Sequence, residues 1–256
     1  MVKVLLLGDA HGCWKEVDDR LREASRTSGV AAGIQVGDLG INRRAIQTFA
    51  QRRGRFALPL HVIDGNHDDH AYLARALRNG EQQRWASDMN LHVQPRPSVV
   101  EIGGIKVGFL GGALHIVRPQ YHGMLSDAPN YVTKQHALAA ASLFDAERPG
   151  LIVTHSCPSG IGIRMQGHPD LKWGVHEHVV RAGFDPGPEH DRGEPGLRVL
   201  WEHMHHRPRL WIFGHFHTYR RVIVGSTEFV SVDAVTPRRT AQQLYWDTDS
   251  MCLVDA

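Results

Sequence analysis

The sequence predicts an α/β protein built on a mixed β-sheet, and three observations carry that prediction. Apolar runs of strand length alternate with helix-patterned segments through the first third of the chain. Short antiparallel pairs follow further on. Five polar motifs each come directly after an apolar run: GDAHG (Gly8 to Gly12), GDLG (Gly37 to Gly40), GNHD (Gly65 to Asp68), TH (Thr154-His155) and GHFH (Gly214 to His217). Open α/β sheets gather ligands at the C-terminal ends of their strands, where each of these motifs would fall.

The elements read in order as follows. Val2 to Leu7 is apolar apart from Lys3 and ends at Gly8, the pattern of a strand buried on both faces. Trp14, Val17, Leu21 and Ala24 recur at helical spacing over residues 14 to 27, with charges between them. Ala32 to Val36 is a second buried strand, Ala45 to Arg53 a helix, and Leu60 to Ile63 a third strand. Residues 69 to 78 form a helix ending near Asn79-Gly80. This βαβαβ opening implies parallel strands with right-handed crossovers. Val99 to Ile102 and Ile105 to Leu110, joined by Gly103-Gly104, read as a hairpin. A helix over 134 to 146 precedes the strand Leu151 to Val153. Leu210 to Phe213 repeats that strand pattern, and Arg221 to Val224 with Glu228 to Val232 forms a late antiparallel pair. Between them, 156 to 208 is rich in Gly, Pro and His, with helices expected near 174 to 182 and 196 to 206. A stretch of that length is expected to be a lid or an insertion beside the site.

The chain has 256 residues, enough for one large domain or two small ones. Because the motifs span nearly all of it, they can converge only within a single domain, 1 to 256. Three cysteines without a CxxC pair suit a reducing compartment. No apolar run approaches the ~20 residues needed to span a bilayer, so a cytoplasmic location is expected. A net charge of +2, with acids interspersed among the Arg pairs, shows no extended basic surface. That argues against an extended nucleic-acid partner, and the sequence is silent on oligomeric state.

The motifs hold seven candidate metal ligands: Asp9, His11, Asp38, Asn66, His155, His215 and His217. Asp9 and His11 are two residues apart, as are His215 and His217, and such pairs share a side of extended backbone. Carboxylate together with imidazole suits Mn2+, Fe or Zn2+, whereas an all-oxygen set would suit Mg2+ or Ca2+. Asp38 has two oxygens and can bridge two ions, and Asn66 adds a neutral oxygen that keeps the site positive. Two ions so held can clamp a phosphoryl group and lower the pKa of water to about 7. A histidine beyond the ligands would suit protonation of the departing oxygen. Each motif also has an ordinary reading: Asp after a strand is commonly a helix N-cap, and Asn-containing turns are common. The five together favour the ligand reading. His115 and Arg118, in the loop after Gly111-Gly112, are candidate substrate contacts, Arg118 through bidentate phosphate binding. His176, His178, His203, His205 and His206 lack a supporting motif and read as solvated or lid residues. Cys13 and Cys157 read as small buried thiols.

In this order the five motifs resemble the calcineurin-like metallophosphoesterase superfamily over almost the whole chain. The resemblance implies two mixed β-sheets packed as a sandwich and flanked by helices. It implies one metal held by Asp9, His11, Asp38 and His217, and a second by Asp38, Asn66, His155 and His215. His67 would be the acid or phosphate-contacting residue. The chemistry implied is hydrolysis of a small phosphomonoester or a phosphodiester, such as a nucleotide, by metal-bound hydroxide. The competing reading is a metal-binding interaction module on the same fold, without catalysis. The protein Ser/Thr phosphatase branch reads GDxVDRG and GNHE where this chain reads GDLGINR and GNHD. Ile41 stands where that branch pairs a carboxylate with the catalytic histidine, and Arg43 falls one position late for its phosphate clamp. A protein-phosphatase role is disfavoured.

Overall fold

A computed structural model describes residues 2–113, 130–161, 193–237 and 243–255, together with His176 and Arg181. His115 and Arg118 lie outside the described residues. So do most of the expected 174 to 182 helix and much of the expected 156 to 208 lid.

Two six-stranded mixed sheets form the centre. The first has the order β12-β11-β1-β2-β3-β4, with β1 (Lys3–Leu7), β2 (Val30–Gln35), β3 (Leu60–Val62) and β4 (Leu91–Val93) parallel. The antiparallel pair β11 (Leu244–Asp247) and β12 (Cys252–Asp255) completes its edge. The second has the order β5-β6-β7-β8-β10-β9. There β6 (Ile105–Leu110), β7 (Leu151–Thr154), β8 (Leu210–Phe213) and β10 (Thr227–Ser231) run parallel. The edge strands β5 (Ser98–Ile102) and β9 (Arg220–Val224) pair antiparallel with β6 and β10.

The continuous apolar runs have a direct explanation in the layers. Along β1, Val4 and Leu6 enter the core between the sheets, while Leu5 and Leu7 enter a second core under the helices. In β8, Leu210 and Ile212 face the inter-sheet core, while Trp211 and Phe213 face a third core on the far side. Both faces of these strands are covered, so no polar alternation survives. Helices α1 (Trp14–Ser28), α2 (Arg43–Gln51), α3 (His70–Arg78) and α4 (Glu81–Met89) cover the first sheet. Helices α5 (Lys134–Glu147) and α6 (Pro195–His203) cover the second.

Helix starts follow their caps. Asn42 accepts from Ala45 N at 2.9 Å, so α2 begins at Arg43, two residues before the apolar pattern suggested. Asp69 accepts from Tyr72 N at 2.9 Å and Thr133 from His136 N at 3.1 Å, starting α3 and α5. The sequence reading missed α4 and β4. Only Trp85 and Met89 of α4 are buried, too few for a periodic stripe, and β4 is three residues long. It also missed the edge pair β11 and β12, four residues each.

Candidate metal centre

The strand order brings the five motifs together. GDAHG, GDLG and GNHD leave the adjacent strands β1, β2 and β3, while Thr154-His155 and GHFH sit at the ends of the adjacent strands β7 and β8. Hydrogen bonds tie the loops across the sandwich. His155 Nδ1 donates to Val36 O (2.7 Å), Gly214 N to His155 O (3.0 Å) and His215 N to Asp9 Oδ2 (2.8 Å).

The seven expected ligands and His67 all meet here. A carbonyl can only accept, so the bond to Val36 places the Nδ1 proton of His155 and directs Nε2 into the site. That Nε2 lies 3.1 Å from Asn66 Oδ1 and 3.3 Å from Asp38 Oδ2. Asp9 Oδ1 is buried without a hydrogen-bond partner, 3.5 Å from His155 Nδ1. Candidate ligand atoms of Asp9, Asp38 and His155 lie within 4.8 Å of one another. Near the same Asp38 oxygen, His11 Nε2 is 2.9 Å from His217 Nε2 and 4.0 Å from Asp38 Oδ2. His217 Nε2 is 3.5 Å from Asp9 Oδ2, and the His215 ring centre lies 5.1 Å from that of His155. Asp38 therefore faces both groups of donors.

The charges require a cation or a proton. Burial pushes the Asp9 carboxyl up to about 8, with His155 opposing and Asp38 adding to the rise. Burial also opposes ionisation of Asp38, but His155 and the His67 N–H hold it well below the usual carboxylate range. Burial disfavours a charged His155, yet Asp38 and Asp9 draw its pKa up to about 10. Burial keeps His215 well below the ordinary imidazole value and lowers His217 to about 4, so both rings are neutral and able to ligate. A proton on His155 Nε2 is one way to neutralise converging lone pairs, and a metal cation is the other. The orphaned Asp9 oxygen and the mixed carboxylate, amide and imidazole donors fit the cation.

His67 differs from the ligands. It is exposed at the mouth, with its ring 5.1 Å from that of His11 at 76°. Its backbone N–H donates to Asp38 Oδ1 at 2.7 Å. Desolvation keeps its imidazole pKa below the ordinary value, with Asp38 pulling the other way. Ile41 is buried in the core beneath the helices, confirming that no carboxylate stands at that position.

One premise of the sequence reading is corrected. His11 (φ 44°), Asp38 (φ 56°), His215 (φ 70°) and His217 (φ 52°) are left-handed, not extended. The pairs two residues apart converge because each loop turns sharply after its strand. Close approach then demands glycine. A Cβ on Gly65 would sit 2.2 Å from Asp38 Oδ1, and one on Gly37 2.4 Å from His155 Nδ1.

Several supporting residues escaped the sequence reading. Asp68, the last residue of GNHD, is buried and accepts from Asp38 N (3.0 Å), Gly40 N (2.9 Å), Ile41 N (2.6 Å) and Gly65 N (2.8 Å). It fastens the second motif to the third. Burial, then Asp38, raises its pKa to about 6 against these donors. Gln35 bridges Gly8 O and Gly37 in the same way, and a lone Gln in an apolar strand was the available signal. Asp64 pairs with Arg96 and lies 3.1 Å from His70 Nδ1. His203 and His206 bond to the carbonyls of Val199 and Pro149, away from the centre. Cys157 is buried in the core on the far side of the second sheet, in agreement with a small buried thiol.

Comparison with known proteins adds the family. The family model described as calcineurin-like phosphoesterase matches residues 2–219. A lariat debranching enzyme of Schizosaccharomyces pombe is 25% identical over 185 residues, 69% of this chain and 37% of that protein. The chain thus spans little more than a third of that relative's length. Among solved structures, protein TT1561 of Thermus thermophilus superposes with a TM-score of 0.63 at 13% identity, over 99% of this chain and 97% of that one. A putative 5'-nucleotidase of Staphylococcus aureus gives 0.52 at 12% identity, over 100% of this chain and 52% of that one. At such identities the structures speak for the fold alone. With the family model covering most of the sequence, this chain belongs to the calcineurin-like phosphoesterase family.

Proposed function

We propose that the protein is a binuclear metal-dependent phosphoesterase that hydrolyses P–O ester bonds. The observation that carries this reading is the convergence of Asp38 Oδ2 and Asn66 Oδ1 to within 3.3 Å of His155 Nε2, beside the orphaned Asp9 Oδ1. One ion would be held by Asp9, His11, Asp38 and His217, and the other by Asp38, Asn66, His155 and His215. Mn2+, Fe or Zn2+ suits these donors. Such ions, when bound, supply a nucleophile at neutral pH and positive charge for the phosphoryl oxygens.

The chain's own residues do the rest. Asp38, facing both donor groups, sets the separation of the two subsites. The bond from His155 Nδ1 to Val36 O fixes the tautomer that leaves Nε2 for ligation. His67, exposed beside the ligands, holds the proton for the departing oxygen. The presence of His67 at the mouth favours catalysis over a purely metal-binding module, which needs no acid there.

Metal-stripped protein reloaded with Mn2+ should hydrolyse a chromogenic phosphomonoester or the matching phosphodiester. The preferred arm identifies the ester class. His67→Ala should lower kcat by about 10²–10⁴ with metal content unchanged. Full turnover in that variant would remove His67 from the acid role, and loaded protein inactive on both esters would favour the interaction module.

A further inference from the structure

A groove of about 810 Å3 opens on the helical face, away from the ligands. Its floor includes Tyr72 and Trp85, which are buried and stack with ring centres 5.8 Å apart. Its walls carry the exposed arginines Arg43, Arg53, Arg55, Arg75 and Arg84, against two carboxylates, Glu81 and Asp88. These arginines are dispersed along the sequence, and the packing of α2, α3 and α4 collects them.

Their engagement differs. Arg55 bonds to Ser87 O and Asn90 Oδ1, and Arg75 lies over the Tyr72 ring at 5.4 Å. No side-chain hydrogen bond or ion pair with the described residues occupies the guanidinium of Arg43, Arg53 or Arg84. Their guanidinium groups remain open to a bound polyanion. Guanidinium groups match phosphate oxygens in bidentate geometry.

Direction and length narrow the ligand. Arg43 opens α2 five residues after Asp38, and Tyr72 lies in the first turn of α3, five residues after His67. Both helices leave loops of the metal centre, so the end of the groove at Arg43 and Tyr72 is the end nearer those loops. Helix α2 runs about 12 Å from Arg43 to Gln51 at 1.5 Å per residue, and Arg53 follows just past its C-terminal end. A single phosphate cannot reach both ends, whereas a chain of phosphodiesters can. The volume is that of a ligand pocket and suits a few nucleotides of one strand better than a duplex.

We propose that this groove binds the sugar–phosphate backbone of single-stranded nucleic acid and leads the strand to the metal centre. The second half of that statement rests on the phosphoesterase reading, and the binding itself does not.

The test separates the two. Fluorescence anisotropy of a short labelled oligothymidylate is measured in EDTA, where no hydrolysis can occur, across a salt series. The expected result is salt-dependent binding that Arg53→Glu/Arg84→Glu weakens by about tenfold or more, with the slope of log K against log salt falling by roughly 1.4 for two lost contacts. Arg53→Lys/Arg84→Lys should keep most of the binding, and thermal melts of both variants should match the parent. Mn2+-dependent hydrolysis of the chromogenic ester should be unchanged in the Glu variant. No binding by the parent, equal binding by the Glu variant, or preference for a polyglutamate peptide of equal charge would each overturn the groove. Binding as expected in a protein that hydrolyses no ester would overturn the phosphoesterase reading and leave the groove standing.

Discussion

Gly65→Ala is a one-carbon perturbation aimed at the middle of the site. Gly65 is not left-handed, so alanine brings no backbone strain of that kind. The added Cβ, however, would lie 2.2 Å from Asp38 Oδ1 and 2.5 Å from Asp38 N. The carboxylate and its backbone must both retreat. Overpacking of this kind costs about 1–3 kcal/mol. The displaced carboxylate also loses the 2.7 Å bond from His67 N–H, a charge-assisted contact worth about 1.5–3 kcal/mol. Together these give about 2.5–6 kcal/mol, comparable to the whole stability of a weak domain. If Asp38 is the carboxylate shared by the two ions, as proposed, bound metal should fall with stability. The assay is elemental analysis after Mn2+ loading, with urea denaturation alongside. Gly104→Ala is the control: Gly104 has φ 82° with nothing within 4 Å of its Cβ, so it should cost about 1–2 kcal/mol of strain and no metal. If Gly65→Ala keeps full metal occupancy and melts with the control, the argument from close approach is wrong.

Three further outcomes are expected. Asp68→Ala strands three buried N–H donors and one part-buried one, each buried one worth about 1–3 kcal/mol, and should lower both the urea midpoint and metal affinity; an unchanged midpoint would remove its fastening role. Arg96→Met leaves the Asp64 carboxylate buried opposite a neutral side chain and should cost about 3–5 kcal/mol in chemical denaturation, whereas Asp64→Asn/Arg96→Met should recover much of that loss. His61 is held neutral by burial and by the stacked His92, with its pKa lowered to about 4. A histidine whose folded pKa lies below its unfolded value loses stability as pH falls from about 6.5 towards 4, by at most about 3 kcal/mol. His61→Phe should flatten that decline in melts across the pH range, and an identical slope would refute the assignment.

Strand positions were legible because burial on both faces leaves an unbroken apolar run, as in Val4 to Leu7 and Leu210 to Phe213. The gathering of the motifs followed from strand adjacency, which the βαβ pattern implies. What stayed hidden was short or non-local. Helix α4 buries only Trp85 and Met89, so its stripe was too thin to see. Asp68 looked like a variant motif residue because its four partners come from two separate loops. The arginines of the groove are scattered between Arg43 and Arg84 and become neighbours only when three helices pack. The left-handed candidate ligands were misjudged for a different reason. Residue spacing reports which side chains can converge, and carries no record of the backbone conformation by which they do so.

Those four residues at positive φ tie durability to chemistry. Aspartate enters that region more readily than most residues, so the strain falls mainly on the three histidines at about 1–2 kcal/mol each, roughly 3–6 kcal/mol in all. Glycine at His11 or His217 would release part of that strain and remove a candidate ligand. Selection for heat resistance alone would therefore press first on the candidate ligands, and metal-dependent work, as proposed, is what would keep them in place.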